Sequence, residues 1–110
     1  MNAFSPSAFA PYFRVRLAAV VISNIVPTRI AVANSARVLL VIPSSTTAYT
    51  ITPGVPGAGI TGINIPANSA PYEITYAAWG GIVGGEWWVP TIGFGPVTLT
   101  FTEVWYDPGV

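Results

Sequence analysis

The run Val38-Leu39-Leu40-Val41-Ile42 constrains the fold more than any other stretch of this chain. β-Branched residues alternate with leucine, no helix cap precedes the run, and the polar pair Asn34-Ser35 separates it from a shorter apolar stretch, Arg29 to Ala33. Such a pattern reads as strand, turn, strand. Positions 38, 40 and 42 project to one face and 39 and 41 to the other, so a strand apolar on both faces needs cover on both. A chain of 110 residues is one domain, and the second cover is then either its own N-terminal segment or another protein.

Charge favours the second source. The chain is 52% hydrophobic and 7% charged, where ordinary globular domains carry about 25% charged residues. Four arginines balance four acids and there is no lysine, so little charge keeps copies apart. The composition predicts a protein that works inside an assembly, in contact with itself and with other subunits. Cysteine is absent, which removes disulfides and thiolate metal sites. The longest aliphatic runs, Leu17 to Ile22 and Val38 to Ile42, fall far short of the ~20 residues that span a bilayer, so no membrane contact is expected. No basic segment precedes an apolar core near Met1, so the reading is folding in the cytoplasm without a secretory signal.

Along the chain, Phe4, Phe9, Tyr12 and Phe13 are set among Pro6 and Pro11, which oppose helix and ladder alike. Residues 1–13 are expected to be an arm whose aromatics pack on a neighbouring subunit. Residues 14–110 are expected to form an all-β domain, a small β-sandwich or flattened barrel of about eight short antiparallel strands. Strands are predicted over 14–22, 29–33, 37–42, 48–52, 60–65, 72–76, 86–89 and 97–102. Ala77 to Gly85 reads as a glycine-rich turn carrying Trp79. In the last strand Val97, Leu99 and Phe101 turn inward, and Glu103 falls on the same phase. A bulge or a sheet edge is therefore expected beside Glu103.

Chemistry is largely excluded by what the chain lacks. Without His, Cys or Lys there is no Ser-His or Cys-His nucleophile, no Schiff base and no His/Cys zinc site. Glu73, Glu86, Glu103 and Asp107 stand on separate segments, with nothing pairing two of them for acid–base work. The chain is read as a non-enzyme without cofactor or metal. Gly57-Ala58-Gly59-Ile60-Thr61-Gly62 fits G-x-G-x-x-G, but a strand-like Ile63-Asn64-Ile65-Pro66 follows where a dinucleotide site needs a helix. Four scattered arginines at zero net charge make no basic stripe, so nucleic acid is not a predicted partner.

The aromatics are the positive signal. Strand neighbours face opposite ways, so one of Trp87 and Trp88, and one of Trp105 and Tyr106, must look outward. Outward aromatics are enriched at protein interfaces. Candidate interface residues are Phe4, Phe9, Tyr12, Phe13, Leu39, Val41, Trp79, Trp87, Trp88, Trp105 and Tyr106. Arg37 opens the most apolar strand, on the face of Leu39 and Val41, and needs a carboxylate or carbonyls to hold it; Glu103 is the leading partner, and Asn34 shapes the turn before it.

A resemblance adds to this. Val20-Val21-Ile22, Pro27-Thr28-Arg29-Ile30, Ala33 to Ile42, Tyr49 and Ile65-Pro66-Ala67-Asn68-Ser69 are together similar to small tailed-bacteriophage virion proteins. These share a strand, an Asn-Pro-x-Arg turn, an apolar strand and a Pro-small-polar turn. The likeness covers residues 14–104, with Ser35 where the pattern often has Pro and Pro43 where it has a polar residue. It implies a β-sandwich capsid decoration (cement) protein on the capsid outer surface, bound to the major capsid protein and trimeric at local three-fold points, with no catalytic residue. Two alternatives accompany it. One is a receptor- or glycan-binding tail module stacking sugars on Tyr76, Trp79, Trp87 and Trp88; the other is a structural tail or connector protein.

Overall fold

In a computed structural model, described for residues 12–57, 59, 61–93 and 95–107, the alternating segments become eight strands. They are Phe13–Ile22 (β1), Thr28–Ala31 (β2), Arg37–Ile42 (β3), Tyr49–Pro53 (β4), Ile63–Ile65 (β5), Tyr72–Thr75 (β6), Trp87–Val89 (β7) and Val97–Tyr106 (β8). They pair antiparallel in nested couples: β1 with β8, β2 with β7, β3 with β6 and β4 with β5. Rolling up such a long folded hairpin sends successive strands to opposite sheets. The result is two four-stranded sheets, ordered β1-β8-β3-β6 and β2-β7-β4-β5. This is the strand order of a jelly roll, built on an all-β sandwich.

The core lies between the sheets. From the first sheet come Ile22, Leu40, Ile42, Ile74, Leu99 and Phe101, and from the second Ile30, Tyr49, Ile51, Ile65, Trp87 and Val89, all buried. Val83 and Ile92 close it from the connections. The period-2 alternation explains most of this assignment: Ile74 is buried between half-exposed or exposed neighbours, as are Leu99 and Phe101. Gly62 stands beside β4, where the Thr50 and Thr52 methyls occupy the space a side chain would need; an added Cβ would sit 2.1 Å from the Thr50 methyl.

Two bulges change which way side chains point. β2 shifts register against β7 between Arg29 and Ala31, and both Ile30 and Ala31 become buried. β3 shifts against β8 between Arg37 and Leu39. Arg37 is thereby turned inward, toward the side of Leu40 and Ile42 and away from that of Leu39 and Val41. The sequence reading placed Arg37 with Leu39 and Val41, and the bulge corrects it. The irregularity expected near Glu103 thus lies on the facing strand, while β1 and β8 hold one unbroken register from Phe13↔Tyr106 to Ile22↔Val97.

Other boundaries also move. β8 does not stop at Thr102 but runs to Tyr106, because β1 offers it a partner along its whole length. The glycine-rich turn is helical: one α turn, Tyr76–Trp79 (α1), leads into a 3-10 turn over Gly80–Gly84. The Thr75 hydroxyl caps it, accepting from the Ala78 amide at 3.2 Å. Phe13 belongs to β1, so it is part of the sandwich; Phe4 and Phe9 lie outside the described residues.

Candidate functional site

Arg37 is 1% exposed, and its guanidinium is held at every nitrogen. Nε donates to Glu103 Oε2 at 2.8 Å, Nη2 donates to the Val32 carbonyl, and Nη2 is also ion-paired with the same Glu103 oxygen at 2.6 Å. Nη1 donates to the carbonyls of Val83 at 2.9 Å and Gly85 at 2.8 Å. Glu103, itself 6% exposed, also receives Asn34 Nδ2 at 3.4 Å, and its other oxygen meets Arg16 Nη2 at 3.2 Å. The pairing expected of Arg37 and Glu103 is present; what sequence reasoning missed is that the carbonyls come from the 3-10 turn. Its helical form aims Val83 and Gly85 at the guanidinium, and its glycines carry no side-chain signal of that role.

Asn34 shapes its turn as expected and does more. Its Oδ1 accepts from the Ala36 amide at 3.1 Å, its carbonyl from the Arg37 amide at 2.9 Å, and its own amide donates to Gly84 O at 2.8 Å. The approach is tight, because a Cβ on Gly84 would lie 2.7 Å from the Asn34 carbonyl oxygen. The cluster ties β3, β8 and the 3-10 turn together. With its donors saturated and buried, it holds structure and offers nothing to a ligand.

The other two arginines are also paired: Arg14 with Asp107 at 3.2 Å, and Arg29 with Glu86 at 3.2 Å. Glu86 also accepts from Trp88 Nε1 at 3.2 Å. Between the edges of β1 and β2 runs a cleft of ≈ 270 Å³, lined by Arg16, Ala18, Val20, Arg29, Ile30, Ala31 and Val32. Ligand pockets usually enclose roughly 300–1,000 Å³, and both of its arginines are already held by carboxylates. Among the described residues no three His, Cys, Asp or Glu gather as metal ligands. No helix among them is long and apolar enough to cross a membrane. The G-x-G-x-x-G segment runs into β5, a strand, as its following residues require.

The feature that stands out is a bare apolar face. On the outer side of the first sheet, β1 presents Phe13, Val15, Leu17 and Val21 at 54%, 60%, 66% and 61% exposure, with Ala19 exposed among them. Register continues the row across the sheet: Val15 lies beside Val104, Val104 beside Leu39, and Leu17 beside Thr102, then Val41. Leu39 and Val41 are half-buried on this face. Tyr106 stands at its end, 44% exposed, its ring edge-to-face with Tyr12 and Phe13 at 5.8 Å from each.

The proposed aromatic contacts sort as follows. Trp87 is fully buried and packs edge-to-face with Trp79 at 6.0 Å, so it is a core residue with no surface for a partner. That corrects its place among the interface candidates. Trp88 takes the outer face of the second sheet, half-buried; Trp79 and Trp105 are also half-buried. Of the four residues of the stacking alternative, only Tyr76 is exposed, and Trp87 is buried. Tyr12 and Phe13 pack on their own chain's Tyr106. Val15, Leu17 and Val21 were not singled out by sequence, because β1 is largely apolar in both phases. The signal that decides it is Glu103, whose inward phase carries Arg16 and Ala18 with it.

Comparison with protein-family models, with curated proteins and with solved structures finds no match. The class defined by the fold is the all-β, jelly-roll sandwich, and the fold alone assigns no function.

Proposed function

We propose that this chain is a structural virion protein: a capsid decoration protein that lies on the outer surface of a tailed-phage shell and reinforces contacts of the major capsid protein. The observation that carries the reading is the bare outer face of the first sheet, where Phe13, Val15, Leu17, Val21 and Tyr106 are all exposed. Large apolar patches of this kind mark protein contacts. Jelly rolls are widely used in viral shells, which supports the reading at the level of fold, and so does the resemblance of residues 14–104 to virion proteins. The ion pairs satisfy all four arginines within the chain, leaving apolar contact to supply binding.

A glycan-binding tail module has less support, since Trp87, one of its four aromatics, is buried in the core. Co-sedimentation of the purified protein with shells lacking it tests the proposal. Saturable binding is expected, weakened by Val15→Glu on the bare face and unchanged by Thr61→Glu on the exposed loop before β5. Absence of saturable binding would overturn it.

A further inference from the structure

Four strands lie at sheet edges, and three of them are protected. β2 has four residues and a bulge, β5 has three residues followed by Pro66, and β6 has four residues between Pro71 and α1. Short length, bulges, proline and charged side chains are the devices that keep an edge from pairing with another strand. β1 has only the last, Arg14 and Arg16, and both are held by carboxylates of their own chain. It is ten residues long, contains no proline and keeps unbroken register with β8. Its outer positions are apolar from end to end.

We propose that β1 is a self-association edge, pairing antiparallel with β1 of a second copy about a two-fold axis at Leu17. The second copy is the fitting occupant because the strand is self-complementary around that residue. With Leu17 opposite its own copy, Val15 meets Ala19 and Phe13 meets Val21, so every outer apolar position is matched. On the inner side Arg16 faces Ala18 and Arg14 faces Val20, so no arginine opposes another. Arg14 and Arg16 are moreover neutralised within their own chain by Asp107 and Glu103. Centring on Ala18 would leave Phe13 unmatched. The pairing joins two first sheets into one continuous sheet and doubles the apolar face. It closes at two copies, unlike the trimer implied by shell symmetry, and it does not depend on the capsid reading, since it is a property of the isolated chain.

The chain has no cysteine, which makes geometry directly testable. Opposed residues of an antiparallel pair have Cα atoms about 4.5–5.5 Å apart, inside the range of roughly 4.4–6.8 Å that a disulfide spans. The full-length chain carrying Leu17→Cys is expected to form a covalent dimer under mild oxidation at dilute concentration. Val21→Cys, about 26 Å from its copy at ~3.3 Å per residue, is expected not to. Leu17→Lys should raise the dimer dissociation constant at least tenfold by opposing two ammonium groups, with an unchanged circular dichroism spectrum; Thr100→Lys, on the neighbouring strand, should leave it unchanged. Equal cross-linking at positions 17 and 21, or none at 17, overturns the proposal. So does cross-linking at 17 that appears only after residues 1–11 are removed, which would assign the edge to the chain's own N-terminal segment, and so does a three-chain mass.

Discussion

Arg37 and Glu103 meet across 66 residues of sequence, with Nε 2.8 Å and Nη2 2.6 Å from a single carboxylate oxygen, inside a sandwich that is otherwise apolar. The pair exists because a bulge in β3 turns Arg37, which lies opposite Trp105, inward to the side where Glu103 of β8 points. Removing one partner leaves a buried charge uncompensated, which typically costs about 3–5 kcal/mol. Arg37→Met is expected to destabilise by that order in urea unfolding. Combined with Glu103→Gln it should cost clearly less than the sum of the single changes, and strict additivity would contradict the coupling.

The 3-10 turn is as much a part of that cluster as the charges. Gly84→Ala would push a methyl against the Asn34 carbonyl, and overpacking of this kind costs about 1–3 kcal/mol. Gly81→Ala meets nothing within 4 Å and serves as the control. Thermal unfolding of the two variants should separate them, with only Gly84→Ala lowering the midpoint.

Trp87 and Trp88 are adjacent in sequence and opposite in role. Trp87→Ala empties the centre of the core and should cost about 3–5 kcal/mol. Trp88→Ala removes a half-buried ring and its bond to Glu86, and should cost less. Denaturant midpoints of the two variants check the order, and a larger loss at Trp88 would contradict it.

Burial raises the Tyr49 phenol well above its ordinary range, and its hydroxyl donates to the Pro43 carbonyl. A group whose folded-state value is raised contributes stability that is complete below its unfolded value, about 10 for tyrosine, and is lost as pH climbs toward the folded value. Unfolding free energy should therefore fall with pH above about 10. Tyr49→Phe should flatten that fall while costing roughly 0.5–1.5 kcal/mol at neutral pH. An unchanged alkaline slope would show that other groups set it.

Alternation made the strands legible: β6 and β8 announce their dry faces in Ile74, Leu99 and Phe101, and the inward phase of Glu103 pointed to its partner. What stayed hidden has tertiary causes. A bulge is fixed by the facing strand, so nothing local to Arg37 marks its turn inward. The helical segment over 76–84 is too short and too rich in glycine for a 3.6-residue period, with Thr75 as its one sequence signal. In β1 both phases are apolar, and only pairing with β8 decides that Val15, Leu17 and Val21 stay bare. The aromatics drew attention instead, and one of them, Trp87, proved to be core.

The central claim is that β1, the unprotected edge of the first sheet, is an assembly surface. Light scattering behind a sizing column, at micromolar protein, tests it most directly. The account predicts a mass above that of the single 11.5 kDa chain, at two chains, falling to one chain for Leu17→Lys. A sharp 11.5 kDa species that persists as concentration is raised would show that the β1 edge stays unpaired in solution, and would contradict it.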